Sequence, residues 1–206
     1  MTDPTTPGRF LVVEGLDGAG TTTQVARLVE RLRAAGVEAE SHKEPTDGPF
    51  GRAVRDFTDG RVDLDPGTVA LGFAADRLEH VRQIRGLLAV GTWVVSDRYV
   101  PSSLAYQTSQ GLDFEWVRTL NSHAMAPDAT VFVDTAVDVC VARLSARGEF
   151  NTGPFDRADA LHAARDLYLR AFASDAPVGR LLTVDGDGAA DDVADAIWDA
   201  LGDLRP

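Results

Sequence analysis

Apolar residues follow two alternating rhythms along this chain. Unbroken runs such as Phe10-Leu11-Val12-Val13, Trp93-Val94-Val95 and Val131-Phe132-Val133 have the length and composition of strands buried on both faces. Between them apolar residues recur at every third or fourth position, as in Val25, Leu28, Val29 and Leu32, which places one apolar stripe on a helix that Gly36 ends. Strands are expected in "RFLVVE", "TWVVS", "ATVFVD" and "RLLTVD", with a weaker one in "VEAESHKEP" stopped by Pro45. Helices are expected after the first strand and over 50–59, 66–88, 102–110, 113–125, 138–146, 158–173 and 189–201. Pro66 suits the first turn of the longest helix, where its missing N–H has no partner to lose. Strands alternating with helices predict an α/β fold with a parallel five-stranded sheet covered on both sides. No repeat or linker divides the chain, so a single domain over 1–206 is expected. Residues 1–8 read as a flexible polar lead-in rather than a signal peptide.

Composition narrows the function classes. The net charge of -12 disfavours a nucleic-acid or membrane-surface binder, which needs a basic face. No apolar run is long enough to span a bilayer, and a cytoplasmic location is the expectation. Lys43 is the only lysine, so nearly all positive charge is arginine. The lone Cys140 sits in an apolar helical pattern and reads as a small core residue. The four histidines, His42, His80, His123 and His162, lack metal-ligand spacing and receive no role.

Chemistry concentrates in "EGLDGAGTTTQ", Glu14 to Gln24. Gly15-x-x-x-x-Gly20 lets the backbone curl so that successive N–H groups point at phosphate oxygens. The helix that follows adds its dipole to the attraction for an anion. Gly15, Asp17, Gly18, Ala19, Gly20, Thr21, Thr22 and Thr23 are therefore the candidate phosphate cradle, and the Thr22 hydroxyl a candidate Mg²⁺ ligand. A second motif, "WVVSDRYVPSSLAYQ", puts Asp97 and Arg98 just after a buried strand, where ligands of open α/β sheets bind. Asp97 there can hold Mg²⁺ and Arg98 a second phosphate.

Together "EGLDGAGTTTQ", "KEP", "FAADR", "SDRYVPSSLAYQ" and "LSARGE" resemble the thymidylate kinase family, in the family's order and over almost the whole chain. The resemblance implies the P-loop NTPase fold of the nucleoside monophosphate kinases, with a short lid at 147–157. It implies transfer of the ATP γ-phosphoryl group to dTMP with Mg²⁺, and a homodimer. It places Asp17 near the acceptor sugar and phosphate, Glu44 in the Arg-Glu-Pro motif with Lys43 replacing its arginine, and Arg55 and Arg98 on the acceptor phosphate. Phe73 matches the ring that stacks on thymine, and Arg77 the donor to its O4. Ser102, Ser103, Tyr106 and Gln107 fall where the family lines the base and deoxyribose, with Tyr106 against the 2′ carbon. Arg143 falls on the donor-nucleotide side. Read on spacing alone, Phe73 also fits a core stripe with Val69, and Arg77 a solvated charge paired with Asp76 or Glu79.

Two departures stand out. Thr21 occupies the place of the loop lysine, which contacts β- and γ-phosphate oxygens. Losing one preorganised donor of this kind costs about 2.7–4 kcal/mol, roughly a hundred- to thousandfold in rate. Asn151-Thr152-Gly153 stands where many bacterial members carry a lid arginine. The nearest candidates are Arg143, Arg147 and Arg157, and Arg147 or Arg157 is the expected replacement when the lid closes. The alternatives are a kinase for another, possibly modified, deoxypyrimidine monophosphate, and a nucleotide-binding homologue without catalysis.

Overall fold

The computed structural model describes residues 7–150 and 158–206. Its elements run β1 (Phe10–Gly15), α1 (Thr21–Ala34), β2 (Ala39–Lys43), α2 (Pro49–Thr58), α3 (Pro66–Ala89), β3 (Trp93–Asp97), α4 (Val100–Ser109), α5 (Phe114–Leu120), β4 (Ala129–Asp134), α6 (Val137–Arg147), α7 (Ala158–Phe172), β5 (Arg180–Asp185) and α8 (Ala190–Leu201). The five strands form one parallel sheet in the order β2-β3-β1-β4-β5.

Alternation along β1 builds the two cores. Leu11 and Val13 point into one layer with Val25, Leu28 and Leu32 of α1 and Ile197 of α8. Phe10 and Val12 point into the other, with Val81 and Ile84 of α3 and Leu104 of α4. α3 begins as its sequence dictates: Pro66 opens it and the Asp65 carboxylate caps it by accepting from the Gly67 N–H at 2.8 Å.

The expectation of strands apolar on both faces holds for β1 and β3, and for β4 up to its last residue. It fails at the edges. β5 alternates exposed and buried positions along its second half, and β2 buries fully only Ala39. An edge strand is covered less completely, so its sequence mixes polar and apolar residues. The helix expected over 113–125 is shorter, ending at Leu120. Asn121 stops it: its amide donates to the Val117 carbonyl at 2.8 Å, and its side-chain oxygen is drawn to Arg77.

Parallel register sets the functional end of the sheet. Val13 on β1 and Lys43 on β2 both lie opposite Asp97 on β3. The carboxyl ends of three adjacent strands thus meet where the glycine loop leaves β1. Burial pushes the Cys140 thiol up to about 11, so the side chain is an un-ionised core group of α6.

Candidate active site

The loop owes its shape to two glycines. Gly18 has φ +88°, and a Cβ there would lie 2.6 Å from the Cys140 carbonyl oxygen, so only glycine lets the loop close onto α6. Gly20 has φ +92° and turns the chain into α1. Thr21, Thr22 and Thr23, which form the first turn of α1, line a cavity of about 650 Å³. N–H groups in that position have no intrahelical acceptor, and they suit a phosphate. Gly15 and Ala19 hold the loop from behind and do not line the cavity. Thr21, only 5% exposed, packs its methyl toward Gly15.

At the loop end of this cleft, Thr22 Oγ1 donates to Asp97 Oδ2 at 2.5 Å. Asp97 is 2% exposed, and its Oδ1 has no hydrogen-bond partner. A buried carboxylate oxygen without a partner costs free energy unless a ligand completes it. Two hard oxygen atoms side by side, facing a phosphate cradle, fit Mg²⁺, which takes one or two protein oxygens and otherwise waters and phosphates. Among the described residues no group of three or more His, Cys, Asp or Glu side chains is placed to enclose a metal. A phosphate-sharing ion does not need one. Lys43 reaches across from β2, its Nζ 3.6 Å from Asp97 Oδ2.

The middle of the cleft is held by Arg98. Its φ of +76° makes it the one described non-glycine residue in the left-handed region. That conformation costs about 1–3 kcal/mol and collects at functional sites. Arg98 pairs with Asp17 at 2.6 Å, donates to the Gly15 carbonyl and, at 2.8 Å, to Tyr168 Oη, and lies over the Tyr106 ring at 5.6 Å. Burial opposes its charge, but Tyr168, Tyr106 and Asp17 outweigh it and raise its pKa above the usual arginine value. Behind it, Glu14 is fully buried and accepts from the N–H groups of Tyr99 and Ser102 and from the Ser102 and Tyr168 hydroxyls. Burial raises the Glu14 pKa, against the pull of Arg98 and these donors. Glu14 therefore ties β1, α4 and α7 together under the arginine. Sequence reasoning passed over both Glu14 and Tyr168. A carboxylate ending an apolar strand is a legible signal, but its tyrosine partner lies 154 residues away.

The far end is a buried ion network. Arg77 and Glu44, each 2% exposed at the side chain, pair at 2.6 Å. Arg77 also donates to Glu44 through Nε at 2.8 Å, to Asn121 Oδ1 and to Ser103 Oγ at 3.0 Å. Of the five N–H donors of a guanidinium, these contacts leave one on Nη1 uncommitted, and Arg77 lines the cleft. The spacing-based pairing of Arg77 with Asp76 or Glu79 does not occur; Asp76 instead accepts from Thr46, through its N–H at 2.7 Å and its hydroxyl at 2.5 Å. His80 hydrogen-bonds Glu44 at 2.8 Å, and its ring stacks on His42. Burial and the neighbouring His80 lower the His42 pKa. His80 thus positions Glu44, a part that ligand spacing could not disclose.

Phe73, Ser102, Ser103, Tyr106 and Gln107 join Arg77 in lining the same cleft. Burial raises the Tyr106 hydroxyl pKa, so it stays protonated. Two predicted arginines stand elsewhere. Arg55 lines the adjoining hollow, bonded to Asp47 at 2.7 Å and to the carbonyls of Pro45 and Thr46. Arg143 sits behind the loop on the carbonyls of Ala19, Asp187 and Gly188. Arg157 lies outside the described residues, as does Asn151-Thr152-Gly153. Arg147 does line the cleft, with its Nε 2.8 Å from Glu149.

A phosphate loop on a β2-β3-β1-β4-β5 sheet, joined through one cleft to a polar and aromatic slot, defines a P-loop kinase of the nucleoside monophosphate class. The comparisons with known proteins narrow it. The family model described as thymidylate kinase matches residues 13–197. A thymidylate kinase of Akkermansia muciniphila is 37% identical over 197 residues, 94% of this chain and 91% of that protein. A "Probable thymidylate kinase" of Pyrococcus abyssi is 42% identical over 156 residues, 73% of this chain and 75% of that one. The solved thymidylate kinase of Candida albicans superposes with a TM-score of 0.79 at 22% identity, covering 96% of this chain and 92% of its own, a likeness of fold. The chain belongs to the thymidylate kinase family.

Proposed function

We propose that this single-domain chain transfers the ATP γ-phosphoryl group to dTMP, giving dTDP and ADP. The observation that carries this reading is the one cleft in which the phosphate loop, Asp97, Arg98 and the Arg77 slot all stand. Family membership supports ATP as donor and dTMP as acceptor.

The loop amides and the α1 N-terminus hold the donor phosphates. Thr22 and Asp97 would hold Mg²⁺, which would supply charge neutralisation on the transferring group. Arg98 and Asp17 orient the acceptor phosphate and sugar, and Arg98 neutralises the acceptor phosphate as it approaches the donor. A 5′-phosphate oxygen attacks the γ-phosphorus while the bond to the β,γ-bridging oxygen breaks, leaving ADP. The nucleophile is already ionised, so no general base is required, and positioning carries the rate. Thymine lies on Phe73, its O4 accepting the spare Arg77 N–H. Ser103 and Gln107 border the base, Tyr106 and Ser102 the deoxyribose. Glu44 acts by fixing Arg77. Arg147 lines the cleft and would serve the donor side in the stead of a lid arginine on release from Glu149, and Arg55 would approach the acceptor phosphate on turning from Asp47. Arg143 steadies the loop beside the donor nucleotide.

The dimer expected of the family is assigned to α3, where Leu71 and Leu78 are 53% and 48% exposed. No described helix is long and apolar enough to cross a membrane. A cytoplasmic location follows from the proposed substrates.

Parallel assays with dTMP, dUMP and dCMP test the acceptor. The thymine methyl against Phe73 and Val69 favours dTMP over dUMP by about tenfold or more in kcat/KM. Cytosine offers Arg77 an amino donor in place of O4 and is rejected more strongly, because two donors then face each other. Equal use of dUMP or dCMP would point to another pyrimidine acceptor. Binding of ATP and dTMP with no dTDP formed would point to a protein that only binds nucleotides.

A further inference from the structure

The cleft lacks an ammonium group where the family's loop lysine stands, and the described cations nearby are mostly committed. Arg143 is held behind the loop by three carbonyl groups, Arg147 is paired with Glu149, and Arg98 is held by Asp17, Gly15 and Tyr168. Lys43 is different. It ends β2 opposite Asp97, and its Nζ lies 3.6 Å from Asp97 Oδ2. The Asp97 oxygen it approaches is the same one that Thr22 Oγ1 donates to. Its side chain is 60% exposed, Asp97 is its one described partner, and it lines the cleft together with Gly20, Thr21 and Thr22.

Residue type points the same way. Every other basic residue among the 20 lysines and arginines is arginine, yet this position holds lysine. An arginine offers a planar fork that suits bidentate pairing, whereas a lysine offers a compact charge on a flexible stem with three rotatable donors. A compact charge beside Asp97 fits the crowded space between a carboxylate, a hydroxyl and a terminal phosphate.

We propose that Lys43 supplies, from the adjacent strand, the ammonium group that the loop lacks at position 21, binding the terminal phosphate of the donor and neutralising its charge during transfer. This assignment rests on the phosphoryl-transfer reading above. Through it the cation is moved from the loop to β2, while the loop keeps its amides and Thr22.

The test uses the full chain with Lys43→Met alone, Thr21→Lys alone and both together. In Lys43→Met, kcat for dTDP formation falls about a hundred- to thousandfold, the effect of removing one preorganised donor. The KM for dTMP stays within about threefold, because the loss falls on the donor side alone. Calorimetry shows the preference for ATP over ADP falling about tenfold or more, since ADP lacks the phosphate that Lys43 touches; a loss of charge-assisted contacts of about 1.4 kcal/mol corresponds to that factor. Adding Thr21→Lys to Lys43→Met restores most of the lost turnover, which repair of a merely structural defect would not do. Unchanged turnover in Lys43→Met overturns the proposal, as does a loss confined to the KM for dTMP, or one that Thr21→Lys does not reverse. If the unaltered protein forms no dTDP, the kinase reading fails, and the ATP-over-ADP preference still decides whether Lys43 grips the terminal phosphate.

Discussion

Asp97→Asn lowers kcat for dTDP formation by about a thousandfold while leaving the protein as stable as before, or more so. The two halves of this expectation come from the same atoms. Asp97 is buried, its Oδ2 is shared by the Thr22 hydroxyl and the exposed Lys43, and its Oδ1 is unpartnered. A buried carboxylate with one idle oxygen is a poor contributor to stability, because its desolvation is not fully compensated. Asparagine keeps the shape and the Thr22 hydrogen bond but removes the charge. The loss to catalysis would be that of the hold on the proposed Mg²⁺, several kcal/mol of charge stabilisation in the transition state. With tenfold per 1.36 kcal/mol, about 4 kcal/mol gives the thousandfold figure. Steady-state kinetics over a range of Mg²⁺ concentrations, with a thermal melt of each protein, checks both halves. A variant that turns over normally removes Asp97 from the chemistry, and one that melts much lower makes it a structural residue.

Arg77→Met has the opposite signature: it lowers the free energy of unfolding by about 3–5 kcal/mol, the cost of leaving one member of a buried ion pair alone. Glu44 would keep only His80, and Asn121 Oδ1 and Ser103 would lose the donor they now share. The cation also lies 5.1 Å over the Tyr99 ring, so packing is lost with the charge. The double variant Glu44→Gln with Arg77→Met regains a substantial part of the loss, since the buried charge itself is then gone. Urea unfolding of the wild type, both single variants and the double variant closes this cycle. Additive single effects would mean that the pair is not coupled and that Arg77 is free to serve the ligand alone.

These cases show what was legible in the residues. The central strands could be read because a strand inside a covered parallel sheet carries apolar residues on both faces. β2 and β5 could not be read that way, because an edge position relaxes the demand. The phosphate loop was legible as a contiguous motif whose glycines have a mechanical reason. Arg77 was placed in the cleft by its resemblance, but its partners Glu44, Asn121 and Ser103 come from three separate segments, and pairing across the sheet leaves no local trace. The same holds for Glu14 with Tyr168. Lys43 was visible in sequence as the only lysine and as an exchange within a short motif. Its approach to Asp97 is a consequence of β2–β3 register, which hydrophobic rhythm does not specify. Arg55 and Arg143 illustrate the reverse: the motif order was read, while side-chain direction, set by Asp47 and by the loop carbonyls, was not.

Phosphoryl transfer in this chain has to proceed with threonine in the cradle. A single-turnover experiment with labelled ATP and dTMP, run on the wild type and on Thr21→Lys, tests this most directly. Wild type is expected to convert its bound ATP to ADP with matching dTDP, and Thr21→Lys to change that rate by less than about tenfold, because the cleft already holds its cation. No dTDP from wild type at enzyme concentrations equal to substrate, with rapid formation by Thr21→Lys, would contradict it.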